Sequence, residues 1–90
     1  MVTVVLTHQV KNFEEWKKHF ESDSEARETA GLNMHSIYRG HENANMVTII
    51  GEAPNAESVL IFVSNPALKA TMEKAGVISA PELRILSKVD

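Results

Sequence analysis

The sequence predicts a single α+β domain over residues 1–90, in which helices cover one face of a four-stranded antiparallel sheet. Residues 2–10 are rich in β-branched residues and read as the first strand, and the other strands are expected at residues 32–41, 46–52 and 82–89. Helical stretches separate the first strand from the second and the third from the fourth. Asn, Gly and Pro mark the boundaries between these segments. Ninety residues suffice for one domain of this kind, with a core too small to be strongly stable alone.

The first strand has one face that is more apolar than the other. Side chains alternate along a strand, and the even positions hold Val2, Val4, Leu6, His8 and Val10. The odd positions hold Thr3, Val5, Thr7 and Gln9. We therefore expect the even face to pack on the helices and the odd face to have a mixed character.

The first helix begins after Asn12, a favoured N-cap residue, with Glu15 at the capping-box position. An apolar stripe at helical spacing follows in Phe13, Trp16 and Phe20. Residues 21–24 are weak helix formers, so a break is expected there. The helix resumes at residues 26–30, and Gly31 is expected to stop it.

The second half repeats this plan after a hairpin whose loop is residues 41–45. Asn55 is the expected cap of a helix that runs through Val63. Asn65 precedes a proline and is therefore pushed away from helical geometry, so a new helix begins at Pro66. That helix ends near Ala75, before Gly76, and Pro81 opens the last strand.

The resulting order, β-α-β-β-α-β, is the ferredoxin-like arrangement. The sheet face away from the helices is expected to carry a mixture of apolar and hydroxyl side chains: Val5, Thr7, Gln9, Thr48, Ile50 and Leu86. Such a face is too apolar for full solvation. Symmetric packing of two copies would cover it, so we expect a homodimer formed through the sheet.

Composition excludes several classes of function. The net charge is −3, with both signs interspersed, which argues against nucleic acid as a partner. No apolar run is long enough to span a membrane, and the first residues lack the basic start of a signal peptide. The chain has no cysteine, which excludes disulfides and thiolate metal sites and suits the cytoplasm.

The chain resembles the dimeric α+β barrel superfamily, and within it the antibiotic-biosynthesis-monooxygenase-like proteins. The resemblance covers nearly the whole chain. It is carried by His8-x-Val10-x-Asn12-Phe13-x-x-Trp16, Gly31, Asn45-x-Val47-Thr48, Ser64-Asn65-Pro66-x-Leu68-Lys69, Met72-x-x-Ala75-Gly76-Val77 and Pro81. It implies a dimer with a ligand between sheet and helices in each subunit. The superfamily includes cofactor-free oxygenases of aromatic polyketides, haem-degrading enzymes, lactone isomerases and stress-response proteins, and fold alone does not select among them.

Two residues at the first strand and helix are candidate site residues. His8 has the chemistry of a proton shuttle or an orienting hydrogen-bond donor. Its structural alternative is a histidine that closes the strand end against backbone groups. Trp16 is a candidate wall for a planar substrate, and its alternative is core packing.

Three further candidates lie later in the chain. Tyr38 is a candidate catalytic phenol, and His35 is a candidate substrate-binding group. They lie an odd number of residues apart, so only one of them is expected to face the pocket. Arg27 is a candidate substrate-binding residue, whose guanidinium would hold an anionic group by two parallel hydrogen bonds. Its alternative is a surface ion pair with Asp23 at i−4.

No cofactor or metal is expected from the sequence. His35 and His41 stand too far apart along a strand to share an ion, and no HxxxH spacing occurs. The haem-degrading members of the superfamily have an Asn in the first strand and a Trp and a His later in the chain. Here the first strand has no Asn and the single Trp lies in the first helix, so the resemblance does not favour haem as a ligand.

Three hypotheses remain. The first is a cofactor-independent, monooxygenase-like enzyme acting on a small aromatic or polyketide-like molecule. The second is a binding module without turnover, and the third is a structural homodimer. Polar groups that converge on an apolar pocket would favour the first two.

Overall fold

The computed structural model describes residues 1–90, and its elements follow the predicted order, with each connecting helix divided in two. The strands are β1 (Val2–Gln9), β2 (Asn33–Arg39), β3 (Met46–Ala53) and β4 (Glu82–Leu86). The helices are α1 (Phe13–Ser22), α2 (Ser24–Thr29), α3 (Ala56–Val63) and α4 (Pro66–Lys74). The strands form one antiparallel sheet in the order β2-β3-β1-β4. The predicted ferredoxin-like α+β fold is confirmed.

Local capping chemistry sets the helix ends. Asn12 Oδ1 accepts a hydrogen bond of 3.0 Å from the Glu15 amide, and Asn55 Oδ1 accepts one of 2.8 Å from the Ser58 amide. Asn65 caps α4 in the same way. Gly31 follows α2 with a φ of 81°, a left-handed conformation that a glycine adopts without strain. The four caps and stops are those that the sequence predicts.

Strand ends differ slightly from the prediction. β1 ends at Gln9, and Val10 makes an isolated bridge to Val77. β4 stops at Leu86 rather than continuing to residue 89, because Leu86 already pairs with Thr3, next to the start of β1.

An irregularity in β2 changes which side chains share a face. Met34 pairs with Gly51 and Ser36 with Ile50, so His35 is an extra residue in a β-bulge. A side chain on Gly51 would collide with the Met34 side chain and backbone. Glycine at this position therefore permits the close approach of the two strands beside the bulge.

The helix-covered face of the sheet carries the core. One group of buried residues packs around α1: Val10, Trp16, Val47, Ile49 and Ala75. A second packs beneath α3: Val4, Leu32, Ala53 and Val59. The even positions of β1 face these two groups, as the alternation of side chains along the strand predicts.

The opposite face, here called the bare sheet face, carries Val5, Thr7, Thr48, Ile50 and Leu86, as the strand registers require. Thr7 pairs with Thr48, and their hydroxyls share a hydrogen bond of 3.0 Å. No helix of the fold is both long and apolar enough to cross a membrane.

Candidate functional site

A cavity of about 90 Å³ lies between the sheet and the helices. A single water needs roughly 10–15 Å³ measured in the same way, so this space exceeds one water several-fold. Fourteen of its 19 lining residues are hydrophobic. The five others are His8, His19, Asp23, Arg27 and Thr71. An apolar cavity with few polar groups is the usual form of a small-molecule site.

His8 reaches this cavity because it occupies an even position of β1, between the cavity-lining Leu6 and the core residue Val10. Its side chain is only 3% exposed. Neither ring nitrogen has a hydrogen-bond partner within the protein. The imidazole thus makes no hydrogen bond to the backbone groups at the strand end.

Burial controls the protonation of His8. The pKa of its imidazole falls from 6.5 to about 4, because the charged form is poorly solvated there. At neutral pH the ring is uncharged. A neutral imidazole presents one N–H donor and one acceptor nitrogen. Neither has a partner within the protein, so a molecule in the cavity would be the partner of each.

Aromatic rings extend from His8 along α1. The Trp16 ring meets the His8 ring edge to face, with centroids 5.6 Å apart and planes at 84°. Phe20 stacks on Trp16 at 5.1 Å with planes at 22°. Trp16 is 3% exposed and lines the cavity. The two roles considered for Trp16, core packing and pocket wall, thus coincide in one side chain.

Arg27 continues this row from α2. Its guanidinium carbon lies 3.6 Å from the centroid of the Phe20 ring, and the residue lines the cavity. Partial burial lowers the pKa of Arg27, while the charges of Asp23 and Glu28 oppose that shift. The alternative of a surface ion pair with Asp23 is not formed, since the ion pairs of the chain join Lys17 to Glu21 and Arg39 to Glu14. Stacking on Phe20 draws the guanidinium toward the ring instead.

Tyr38 and His35 lie outside the cavity. Tyr38 is 57% exposed and pairs with Thr48 on the bare sheet face. His35 is exposed, and its Nδ1 lies 2.8 Å from Ser36 Oγ. Consecutive side chains of a regular strand point to opposite faces, so this contact follows from the bulge. The expectation that one of the two residues faces the pocket is therefore corrected: β2 brings neither to it.

The cavity lining also includes polar residues that were not candidates on the basis of the sequence. His19 and Asp23 line it and are half-buried. Asp23 follows Phe20 by three residues and precedes Arg27 by four. That spacing continues the stripe of Trp16 and Phe20 across the break between the helices, and it is the signal that identifies the position. No three His, Asp or Glu side chains come close enough to hold a metal ion.

Comparison with known proteins supports the fold. The family model DUF3764, described as a domain of unknown function, matches residues 1–80. No curated protein matches the chain.

Solved structures match over nearly the full length. A conserved protein from Methanosarcina mazei Go1 is 20% identical with a TM-score of 0.72, covering 98% of this chain and 92% of its own. An antibiotic biosynthesis monooxygenase is 12% identical with a TM-score of 0.71, covering all of both chains. SnoaB, a cofactor-independent oxygenase from Streptomyces nogalater, is 16% identical with a TM-score of 0.70, covering 98% of this chain and 94% of its own. The chain thus has the fold of antibiotic-biosynthesis-monooxygenase-like proteins.

Proposed function

The chain belongs to the DUF3764 family, and we propose that it binds a small aromatic molecule bearing a hydroxyl or carbonyl oxygen. The ligand occupies the cavity between sheet and helices. Its ring system lies against Trp16 and Phe20, and its oxygen exchanges hydrogen bonds with His8.

The unpartnered imidazole of His8 carries this proposal. Burying a polar group without a hydrogen bond costs about 1–3 kcal/mol, so folded proteins rarely retain one that packing alone could replace. His8 is 3% exposed, and both its nitrogens lack a partner within the protein. A ligand oxygen would satisfy them, and a hydroxyl can accept from the N–H or donate to the other nitrogen.

The rest of the lining supports an aromatic ligand. Fourteen hydrophobic residues surround the cavity, and Trp16 and Phe20 offer nearly parallel rings. Offset stacking of aromatic groups contributes about 0.5–1.5 kcal/mol beyond the burial of area. The imidazole of His8 beside these rings would fix the orientation of the bound ring.

Oxygenation of the bound ligand is the catalytic form of this proposal. His8 would accept the proton of an aromatic hydroxyl, and the anion so formed would raise the pKa of the adjacent imidazole. The electron-rich ring then adds dioxygen at carbon, and the hydroperoxide loses water to leave a quinone. For 1-naphthol the balance is C10H8O + O2 → C10H6O2 + H2O. The likeness to a cofactor-independent oxygenase favours this candidate.

Binding without turnover is the alternative from a different class. It requires the same hydrogen bonds to His8 but no access for dioxygen. A purely structural homodimer is the third possibility, and it gives no role to the unpartnered imidazole.

Self-association through the bare sheet face belongs to the same proposal. Val5 and Ile50 pair on the two central strands, and Thr7 and Thr48 pair beside them. No helix covers these residues. Symmetric packing of two sheets would bury the face and add stability to a chain of only 90 residues.

Calorimetric titration with 1-naphthol at pH 7 tests the proposal. Wild type is expected to bind, and His8→Phe is expected to lose at least about tenfold in affinity, because the ring remains apolar but makes no hydrogen bond. His8→Gln, which keeps a donor and an acceptor, should recover part of the loss. His41→Gln, an exposed histidine outside the cavity, is the matched control.

Equal affinity of wild type and His8→Phe would overturn the role of His8. Oxygen uptake with formation of 1,4-naphthoquinone separates enzyme from binding module. Uptake that is lost in His8→Phe and retained in His41→Gln supports the oxygenase form, and binding without uptake supports the module.

A further inference from the structure

We propose that Arg27 receives an anionic group of the ligand, so that the natural ligand is a hydroxyaryl carboxylate rather than a neutral phenol. This inference rests on the proposed function, because it assigns the second end of the same cavity. His8 would hold the hydroxyl end and Arg27 the carboxylate end.

The N–H groups of Arg27 make no hydrogen bond or ion pair within the protein. Its face stacks on Phe20 at 3.6 Å, and stacking leaves the N–H donors at the edge of the plane available. No side chain or backbone oxygen accepts from them, and no carboxylate forms an ion pair with them. A planar guanidinium with free edges is suited to a carboxylate bound by two parallel hydrogen bonds.

Arg39 provides an internal contrast. Its guanidinium carbon also lies over a phenylalanine ring, 4.1 Å from the centroid of Phe13. Its Nε, however, donates to the Ala44 carbonyl at 3.0 Å, and its Nη1 is 3.8 Å from Glu14 Oε1. Arg39 lies outside the cavity. The same stacking is therefore a structural clamp in Arg39 and leaves an open binding group in Arg27.

Nearby negative charge makes this site selective. Asp23 lines the cavity one helical turn before Arg27, and Glu28 follows it in sequence. The chain as a whole carries −3. These charges oppose the approach of anions, so a carboxylate would gain chiefly through direct hydrogen bonds with the N–H groups of Arg27. Partial burial strengthens that contact, because water competes less there.

A row of aromatic rings connects the two ends of the cavity. Arg27 lies on Phe20, Phe20 on Trp16, and Trp16 against His8. A ligand that spans this row needs a flat apolar body with oxygen functions at opposite ends. A ligand whose carboxylate is adjacent to its hydroxyl would contact only one of the two residues, His8 or Arg27.

The experiment compares 6-hydroxy-2-naphthoate with its neutral isostere 6-hydroxy-2-naphthamide by calorimetry at pH 7. Wild type is expected to bind the carboxylate about tenfold or more tightly than the amide, since the carboxylate is an anion and accepts two parallel hydrogen bonds from the guanidinium, whereas the amide is neutral and offers a single oxygen acceptor. Arg27→Gln should remove this preference, because the affinity for the carboxylate falls further than the affinity for the amide. Arg27→Lys should retain part of it, and Arg39→Gln all of it.

The amide also reports on the integrity of the cavity. If wild type binds the amide as well as the carboxylate, or if Arg27→Gln keeps the preference, the role of Arg27 is overturned while the proposed function stands. If wild type binds 1-naphthol but neither of these compounds, the inference fails and the proposed function stands, and if it binds none of the three, both fail. A preference that disappears in Arg27→Gln and persists in Arg39→Gln supports the inference.

Discussion

The two faces of the sheet hold their polar side chains in different states. On the bare sheet face, Thr7 and Thr48 hydrogen-bond to each other, and His35 contacts Ser36. On the helix-covered face, His8 is buried and has no partner within the protein. Polar side chains of the bare sheet face thus bond to one another, whereas the buried imidazole of the covered face has no bond within the protein. This difference supports the two proposals made above, self-association through the first face and ligand binding at the second.

The largest effect on stability is expected at Trp16, which belongs both to the core and to the cavity lining. Trp16→Ala should lower the free energy of unfolding by about 3–5 kcal/mol, because a buried ring with several aromatic neighbours is removed. Urea denaturation measures it. Leu60→Ala, at a site 53% exposed on α3, is the control and should change stability by about 0.5 kcal/mol or less. A loss below about 1 kcal/mol for Trp16→Ala would assign the residue to the ligand alone.

Acid should weaken the helix-covered face specifically. The pKa of His8 is about 4 in the folded protein against 6.5 ordinarily, so the unfolded chain takes up this proton first. With respect to this group, the free energy of unfolding is therefore highest above pH 6.5, declines as the pH falls, and reaches its lower limit below about pH 4. The full loss is about 3 kcal/mol.

Urea denaturation at pH 7, 5.5 and 4.5 measures this dependence as the difference between wild type and His8→Phe. That difference should grow as the pH falls. His41→Gln should follow wild type throughout. Parallel curves for wild type and His8→Phe would mean that His8 is solvated in the folded state.

A charge on the bare sheet face should weaken self-association without affecting the cavity. Thr48→Asp would place a carboxylate in each protomer where the proposed dimer excludes water, and we expect about a hundredfold weaker dimerisation. Sedimentation across a concentration series measures it. Ala70→Asp, on the exposed side of α4, is the control for charge alone. An unchanged dimer in Thr48→Asp would move the interface elsewhere.

The smallest expected effect is a gain of stability. At pH 7, His8→Phe should raise the free energy of unfolding by about 1 kcal/mol, because two unsatisfied nitrogens are replaced by apolar atoms. A residue kept for binding at the cost of stability behaves in this way. Val10→Ala, at a fully buried position just after β1, should instead destabilise the protein. A clear loss of stability in His8→Phe would indicate a structural role for the imidazole.

Locally determined features could be predicted from the sequence. Asn12, Asn55 and Asn65 cap helices through contacts two or three residues away, and the alternation of β1 correctly assigns His8 to the helix side. These features depend on chemistry within one turn or one strand.

Features that depend on contacts between distant segments could not be predicted. The bulge at His35 exists opposite Gly51, on another strand, and it removes both His35 and Tyr38 from the expected pocket face. Arg27 stacks on Phe20 rather than pairing with Asp23, and this contact crosses the break between α1 and α2, where helical spacing no longer applies. The absence of a partner for His8 likewise depends on all the segments that surround it.

The most direct test of the central claim is the ¹⁵N spectrum of the His8 imidazole, recorded at pH 7 with and without 1-naphthol. The resonances should identify a neutral ring in the free protein. Saturating 1-naphthol should shift at least one of the two His8 nitrogens as its hydrogen bond forms, while the His41 nitrogens stay unchanged. Identical His8 resonances at saturating ligand would contradict the assignment of this cavity to a ligand held by His8.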